Sequence, residues 1–356
     1  MQGTEFLAEF IFRIQLIFVS LILLVIALSG LALIAFLIIL WLRYKDREEK
    51  SLEYVLLLIA VPRDNEVKID AAEQMFSSLS TLYKSGWMNF LKPQTHVSFE
   101  IVAIPGDIRF YVSVPLKLRD FVEKLIYGAY PGADITLVDE YNIFSETGKV
   151  AFASMRLKKA AYMPMRSFRE LPTDPLSSIT STLSKMQQGE GAALQFIVAP
   201  ADGKWKKLGS GFVAHVKKQE SDPEKAKFSY DPKTLEAITA KCSKPGFKTI
   251  IRVVVSSTSK ETANMHLDNL LGSFSQFASD QNNFTKAKHL LKRLFMIDFI
   301  YRYCRHSTTG LEASKPRHTQ AQRKALQVGE GFLSVGPATV AYVHVVYFHV
   351  RVSSNF

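Results

Sequence analysis

The sequence predicts an α+β protein with one N-terminal transmembrane helix followed by two ferredoxin-like (βαββαβ) modules, the second with a helical insertion. Three observations predict it: one uncharged apolar run near the N-terminus, alternating strand-like and helix-like patterns after it, and a βαββαβ order that occurs once clearly and then recurs. The predicted parts are an N-terminal segment, the helix, a charged stalk, two modules and a basic tail, at residues 1–13, 14–42, 43–51, 52–145, 146–305 and 306–356.

The apolar run over residues 14–42 contains no charged residue, and as a helix it is about 43 Å long, against a hydrocarbon core of roughly 30 Å. This length favours a membrane span over a buried helix of a soluble protein or a cleaved signal peptide. More positive charge follows the run than precedes it, so we expect a single-pass protein of the inner (plasma) membrane with its C-terminal region in the cytoplasm. The predicted contacts with the lipid interface are Trp41, Arg43, Tyr44, Lys45 and Arg47.

The first module shows the order strand, helix, strand, strand, helix, strand. The segments are 54–61, 71–83, 97–104, 108–114, 116–127 and 135–138. A tight turn at Pro105 and Gly106 would pair Ile101 with Phe110 and make one face of this hairpin wholly apolar. That order is the ferredoxin-like plan, in which two helices cover one face of a four-stranded sheet.

The second module repeats the order more loosely. Its strands are predicted at 150–157, 194–198 and 247–255, and residues 294–303 read as a closing strand or a helix. One helix should begin at Asp174 and Pro175, and another at a capping box formed by Thr258 and Glu261. An insertion at 200–243 carries two predicted helices, 204–218 and 232–241.

Motifs of catalysis are not found in the sequence: it has no G-x-x-x-x-G-K-[ST] loop, no H-E-x-x-H and no C-x-x-C. We therefore predict no catalytic, cofactor-binding or metal-binding residue, and expect that the chain is not an enzyme. Cys242 and Cys304 are far apart and are expected to be buried thiols in a reducing compartment. The adjacent acids Asp139 and Glu140 are expected to be a solvated strand end.

Basic residues outnumber acidic ones by 44 to 33, which gives a formal charge of +11 and favours anionic partners. Residues 284–324 concentrate this charge and interleave it with aromatic residues. The segment could bind phosphate backbones or single-stranded bases of nucleic acid, could lie on anionic lipid, or could be a solvated basic face. The candidate contacts are Lys286, Lys288, Lys292, Arg293, Arg302 and Arg305.

The run VSFEIVAIPGDIRFYVSVPLKLRDFVEKLIYGAYPGADITLVDEY, together with DAAEQMFSSL, SKPGFKTIIRVVVSS and GSFSQFAS, resembles a bacterial family. The family comprises membrane-anchored proteins related to type IV secretion and conjugation ATPases, and the resemblance covers approximately residues 52–303. It implies that this region is the non-catalytic N-terminal part that normally precedes a P-loop motor domain. No such motor follows here, so the chain is expected to be a stand-alone adaptor, or a fragment whose last roughly fifty residues come from a shifted reading frame.

The resemblance and the apolar run together predict a non-catalytic, membrane-anchored assembly module of a type IV secretion or conjugation-like translocation system. Its expected partners are the lipid bilayer and either a motor ATPase or further copies of itself. The alternative is a membrane tether that binds nucleic acid or anionic lipid through the basic segment.

Overall fold

The computed structural model describes residues 2–44, 53–62, 67–85, 95–221, 230–287, 289 and 291–304. The chain divides into two compact units. One unit contains the N-terminal helix, and the other contains a β-sheet with the helices that pack on it.

The N-terminal unit contains helix α1, Gln2–Tyr44, which includes the predicted span. Its segment Phe10–Ile39 has a mean hydropathy of 3.1, and every side chain from residue 10 to residue 38 is exposed within the unit. A helix that is apolar on all sides needs either a protein core or lipid around it. Helix α1 is therefore long and apolar enough to span a membrane.

The sheet unit alternates strands and helices along the chain. Its strands are β1 (Tyr54–Ala60), β2 (Val97–Ile104), β3 (Asp107–Pro115), β4 (Asp134–Val138), β5 (Lys149–Leu157), β6 (Gly191–Pro200), β7 (Phe247–Ser257) and β8 (Phe284–Ala287). Its helices are α2 (Asp70–Leu79), α3 (Arg119–Ala129), α4 (Pro175–Leu183), α5 (Lys204–Glu220), α6 (Pro232–Ser243), α7 (Lys260–Gly272) and α8 (Lys292–Ile300).

The strands form one eight-stranded antiparallel sheet in the order β4-β1-β3-β2-β6-β7-β5-β8. The prediction of two ferredoxin-like modules is therefore wrong. Strand β2 of the first predicted module pairs with β6 of the second, from Val97 opposite Val198 to Ala103 opposite Ala192. The backbone groups of an edge strand need partners, and side-chain periodicity does not reveal which strand supplies them.

The hairpin of β2 and β3 has the predicted register, with Ile101 opposite Phe110. Gly106 lies in the turn at a φ of 76°, a conformation that glycine adopts without steric cost. The prediction of an apolar hairpin face is confirmed, because Ile101 and Phe110 both lie in the main hydrophobic core.

One face of the sheet is covered by α2, α3, α4 and α7. Alternate strand residues such as Ile101, Leu194 and Val253 point into this core and are fully buried. Helix α4 begins as predicted, with the Asp174 carboxylate accepting from the backbone N–H of Leu176. Helix α7 begins one residue later than the capping box of Thr258 and Glu261 predicts, because Ser259 Oγ accepts from the backbone N–H of Thr262 and caps the helix.

The predicted insertion helices are confirmed as α5 and α6, which pack on each other. Gly209 permits this contact, since a Cβ atom there would lie 2.4 Å from Cys242 Sγ. Both cysteines are buried thiols. Residues 294–303, predicted as a closing strand or a helix, belong largely to helix α8. The short strand β8 closes the sheet beside β5. Residues 306–356, the predicted basic tail, lie outside the described residues.

Candidate functional site

The second face of the sheet carries a row of polar side chains across five strands. Ser154, Arg252, Gln195, Glu100 and Tyr111 lie side by side on β5, β7, β6, β2 and β3. Glu100 is 0% exposed, and Gln195 and Arg252 are almost as deeply buried. Burying such groups costs free energy unless each finds a partner, so the row must be paired within the protein.

Arg302, which follows α8, supplies the counter-charge for Glu100. Its Nε lies 2.8 Å from Glu100 Oε1, and its two terminal nitrogens each lie 2.8 Å from an oxygen of Glu140. Burial alone would lower the pKa of Arg302, but the charge of Glu100 and the hydrogen bond with Glu140 raise it above the ordinary arginine value. The residue also has a φ of 50°, which is uncommon outside glycine.

Glu100 is further hydrogen-bonded by neutral donors. Tyr141 Oη donates to Oε2 at 2.7 Å, Ser98 Oγ donates to Oε1 at 2.6 Å, and Gln195 Nε2 donates to Oε1 at 3.0 Å. Burial and the negative charge of Glu100 raise the pKa of Tyr141, which therefore remains a phenol and a donor. A fully satisfied network of this kind defines one arrangement of the chain.

The same side chains hold the segment that follows α8. Arg252 donates to the carbonyl oxygens of Asp298 at 2.8 Å and Tyr303 at 2.6 Å, and Gln195 Nε2 lies 3.2 Å from the carbonyl oxygen of Phe299. The carbonyl oxygens of Asp298 and Phe299 also accept from the backbone N–H groups of Tyr303 and Arg302, so the side chains of the sheet add to a turn that the backbone already closes. We call Glu100, Gln195, Arg252 and Arg302 the polar clamp, because they fix residues 298–303 to the sheet.

At the β5 end of the row, Ser154 Oγ lies 2.6 Å from His289 Nε2. Burial and the charge of Arg252 lower the pKa of His289, which favours the neutral imidazole. The spacing is that of a nucleophile and its base, but Ser154 is only 7% exposed and lies in the middle of a strand. We therefore interpret the pair as a buried hydrogen bond that gives each of the two side chains a partner.

A cavity of about 370 Å³ lies on the other side of the unit, between α2, the loop at 164–170 and α6. Charged and hydroxyl side chains line it. They are Glu73, Ser167, Arg169, Glu170, Asp231, Lys233, Thr234, Lys241, Lys244 and Ser279, and the amide of Gln281 lies among them. Its volume falls within the range of small-molecule sites in proteins.

Lys241 is the most deeply buried charged group of this cavity, at 6% exposure. Its Nζ donates to the carbonyl oxygen of Met163 at 2.9 Å. Burial lowers the pKa of this amine to about 7. Burial therefore favours the neutral amine at this position, in contrast to an exposed lysine.

The predicted basic contacts do not form one surface. Arg302 is buried in the polar clamp, and Lys286 is exposed and lies 3.5 Å from Asp268. Lys292 and Arg293 are exposed at the start of α8. Lys288 and Arg305 lie outside the described residues.

Of the predicted lipid-interface residues, Trp41 is 61% exposed on α1. The side chains of Arg43 and Tyr44, and residues Lys45 and Arg47 as a whole, lie outside the described part of the chain. Within the described ranges, no group of three or more histidine, cysteine, aspartate or glutamate residues is placed to hold a metal ion.

Sequence reasoning missed the polar clamp, although one signal pointed to it. Glu100, Gln195 and Arg252 each lie within a strand between two apolar neighbours, where period-two alternation assigns them to the face opposite those neighbours. Glu140 is not only a solvated strand end: it is 66% exposed, but it binds Arg302 through both carboxylate oxygens.

Comparison with known families shows that the chain belongs to a family of unknown function. A family model described as a domain of unknown function, DUF8128, matches residues 47–290. A search of curated proteins finds no match.

Three solved structures are similar to part of the chain at low TM-scores. Aclacinomycin oxidoreductase is 9% identical at a TM-score of 0.30, and a glycopeptide hexose oxidase complexed with teicoplanin is 10% identical at 0.29; each alignment covers 63% of this chain and 41% of the other. A berberine bridge enzyme variant, described as a reticuline dehydrogenase, is 12% identical at 0.26, covering 64% and 42%. The chain thus spans about two fifths of the length of these proteins.

These similarities contradict the expectation that the chain is not an enzyme, because all three structures are of enzymes by their descriptions. The expectation is withdrawn. TM-scores of 0.26 to 0.30 are too low to carry oxidoreductase chemistry over to any residue here.

Proposed function

We propose that this chain, which belongs to the DUF8128 family, is a membrane-anchored assembly module of a type IV secretion or conjugation-like translocation system. In this proposal α1 crosses the inner membrane once, and the sheet unit lies in the cytoplasm and binds a motor ATPase or further copies of the chain. The proposal rests on the resemblance over residues 52–303 and on one structural observation: a helix that is apolar on every side precedes the sheet unit.

The physical case for anchoring is the exposed apolar surface of α1. Its side chains between Phe10 and Ile38 are 41% to 69% exposed where they are large and apolar. Surface of this kind is unfavourable in water by roughly 25 cal/mol for each Å². Lipid removes that cost without any further protein partner.

The case for assembly comes from the edges of the sheet and from the polar clamp. Among the residues that the structure describes, strand β4 lies at an edge of the sheet, and its residue Leu137 is 52% exposed. An unpaired strand edge offers backbone groups for pairing with another chain. The polar clamp fixes residues 298–303 on the sheet, so any part of the protein that continues beyond them leaves from a fixed point.

Membrane anchoring is tested by carbonate extraction and by labelling single cysteines on the two sides of the membrane, in a Cys242→Ser and Cys304→Ser background. We expect the chain in the pellet, with a cysteine at Ser221 labelled only after the inner membrane is permeabilised. Recovery in the supernatant would refute anchoring. Labelling of that cysteine in intact cells would refute the orientation.

Assembly is tested by cross-linking the chain in native membranes and comparing the wild type with Leu137→Lys. A charge on an exposed edge strand opposes strand pairing, so the cross-linked species should decline at least about tenfold if β4 mediates contact. Met265→Lys is the matched control, because Met265 is equally exposed (53%) but lies on α7. Equal loss in both variants would refute an edge-strand contact.

A second candidate function is a tether for nucleic acid, favoured by the exposure of Lys292 and Arg293 at the start of α8. A salt titration of DNA binding should then give a slope that is shallower by roughly two for the double alanine variant. Lys204→Ala combined with Lys207→Ala on α5 is the matched control. Identical slopes for the two double variants would refute this candidate.

A further inference from the structure

Helix α8 presents an apolar side away from the sheet. Residues with the spacing i, i+3, i+4, i+7 share this side, and they are Arg293, Met296, Ile297 and Ile300, which we call the outward side of α8. Ile300 is 54% exposed, and Met296 and Ile297 are partly buried. A surface helix of a soluble protein normally turns a polar side to water. In α8 the one acidic residue, Asp298, is instead buried.

The polar clamp keeps the outward side exposed. Phe295, on the opposite side of α8, is buried in the apolar cluster against the sheet. Arg252 donates to the carbonyl oxygens of Asp298 at 2.8 Å and Tyr303 at 2.6 Å, so a rotation of the helix that buried Ile300 would break these bonds. Because apolar side chains gain free energy on leaving water, the outward side favours a partner outside the sheet unit.

Positive charge lies beside this apolar surface. Lys292 and Arg293 are exposed in the first turn of α8, and the preceding residue, Leu291, is 63% exposed. Exposed aliphatic side chains next to basic residues are typical of helices that lie on anionic lipid. The phosphates of nucleic acid would pair with the two cations but would leave Ile300 in water. The combination therefore favours lipid.

We propose that the outward side of α8 docks on the surface of an anionic bilayer, with Ile300 among the headgroups and Lys292 and Arg293 beside the lipid phosphates. The inference rests on the proposed membrane anchor, because α1 supplies the proximity. Nine residues separate Tyr44, the end of α1, from Tyr54, the start of β1. A connection of that length spans at most roughly 35 Å. A weak surface contact suffices under such a tether, since binding is then intramolecular.

The test uses the full chain in nanodiscs of phosphatidylcholine, with or without added anionic phosphatidylglycerol. An environment-sensitive fluorophore is attached at Ile300→Cys in the Cys242→Ser and Cys304→Ser background. Nitroxide-bearing lipids quench the probe from the bilayer, and acrylamide quenches it from water. Met265→Cys is the matched control, because Met265 is 53% exposed but lies on α7, which covers the other face of the sheet.

In anionic nanodiscs we expect the nitroxide lipids to quench the probe at residue 300 at least about fivefold more than the probe at residue 265. Without phosphatidylglycerol the difference should shrink at least about twofold, because the attraction of Lys292 and Arg293 is lost. Equal quenching at the two positions in anionic nanodiscs would overturn the proposal. Contact at residue 300 that does not depend on phosphatidylglycerol would overturn it as well.

Charge reversal tests the basic residues directly. Lys292→Glu combined with Arg293→Glu should reduce quenching by the nitroxide lipids to the level seen without phosphatidylglycerol. Lys204→Glu combined with Lys207→Glu, on the exposed side of α5, is the matched control and should leave the quenching unchanged. An equal reduction in both double variants would mean that overall charge, and not α8, governs the contact, and would overturn the proposal.

Other occupants of the outward side give different results. A second copy would shield residue 300 from acrylamide in detergent increasingly with protein concentration, and another segment of this chain would shield it at every concentration. DNA would shield it only when added. Any of these results in place of lipid contact would overturn the proposal. Failure of the anchor is seen separately, because the chain would then not remain with the nanodisc. A chain that remains with the disc but leaves residue 300 in water refutes the docking alone.

Discussion

The side chains on the two faces of the sheet are buried by different kinds of interaction. The face under α2, α3, α4 and α7 is filled with aliphatic and aromatic side chains that need no specific partners. The face under α8 combines a smaller apolar cluster with the polar clamp, in which Arg302 pairs with Glu100 and Arg252 binds Gln195 and backbone carbonyl groups. Packing on the first face tolerates exchange of similar shapes, whereas the second face accepts one pairing of charges.

The difference explains why α8 lies where it does. Its apolar contacts are few, since Phe295, Asp298 and Phe299 are its only buried residues. The hydrogen bonds from Arg252 and Gln195 to the backbone of residues 298–303 fix its end instead. Hydrogen bonds to charged groups contribute about 1.5–3 kcal/mol each, so a few of them can determine the position of a short helix.

Removing one charge of the polar clamp should lower the free energy of unfolding more than any other change considered below. Arg302→Met leaves Glu100 buried without its cation, so we expect a loss of roughly 3–5 kcal/mol in the free energy of unfolding. Guanidinium denaturation in detergent, followed by circular dichroism, measures it. Adding Glu100→Gln should restore at least about half of the loss, because it removes the unpaired charge. A double variant less stable than the single one would contradict this account of the clamp.

Creating a cavity in the apolar face should lower the free energy of unfolding somewhat less than removing the charge of Arg302. Leu194 is fully buried in the middle of β6, and Leu194→Ala should lower the free energy of unfolding by about 2–5 kcal/mol. Hydrogen exchange should show no selective opening of residues 298–303 in this variant, in contrast to Arg302→Met. Selective opening there in both variants would mean that the two faces are not independent.

The buried side chains of Lys241 and Arg302 differ in their charge. Burial lowers the pKa of Lys241 to about 7, whereas the nearby carboxylates keep Arg302 charged. Between about pH 7 and pH 10, the unfolded chain binds a proton at this position and the folded chain does not, so wild-type stability from this group rises with pH by about 1.4 kcal/mol per unit. Lys241→Met should lack this rise. Denaturation at pH 7.5 and 8.5 gives the two slopes, and equal slopes would show that the amine titrates normally.

The smallest effect on stability is expected at Glu140, the exposed partner of Arg302 outside the polar clamp. Glu140 is 66% exposed, and Glu140→Gln should cost less than about 1 kcal/mol, because water screens its interaction with Arg302. The same denaturation assay measures it. A loss as large as that of Arg302→Met would mean that Glu140, and not Glu100, is the principal partner of the guanidinium.

Local features of the fold were predictable, and pairings distant in sequence were not. The register of Ile101 opposite Phe110 follows from a short turn and from period-two alternation, both of which lie within a few residues. The joining of β2 to β6 involves strands about a hundred residues apart, and no local pattern encodes it. The candidate site was missed for the same reason: Glu100 and Arg302 meet only through the tertiary fold.

The sequence by itself determined the apolar helix, the hairpin, the capped start of α4 and the two insertion helices, because turn chemistry, capping and hydrophobic periodicity act between near neighbours. Only the tertiary structure decided that the strands form one sheet, that Arg302 is an internal counter-charge and not part of an exposed basic surface, and that Lys241 lies beside a cavity. These outcomes depend on which distant groups share a low-dielectric interior, and there the free energy of burial is set by the partners that each group meets.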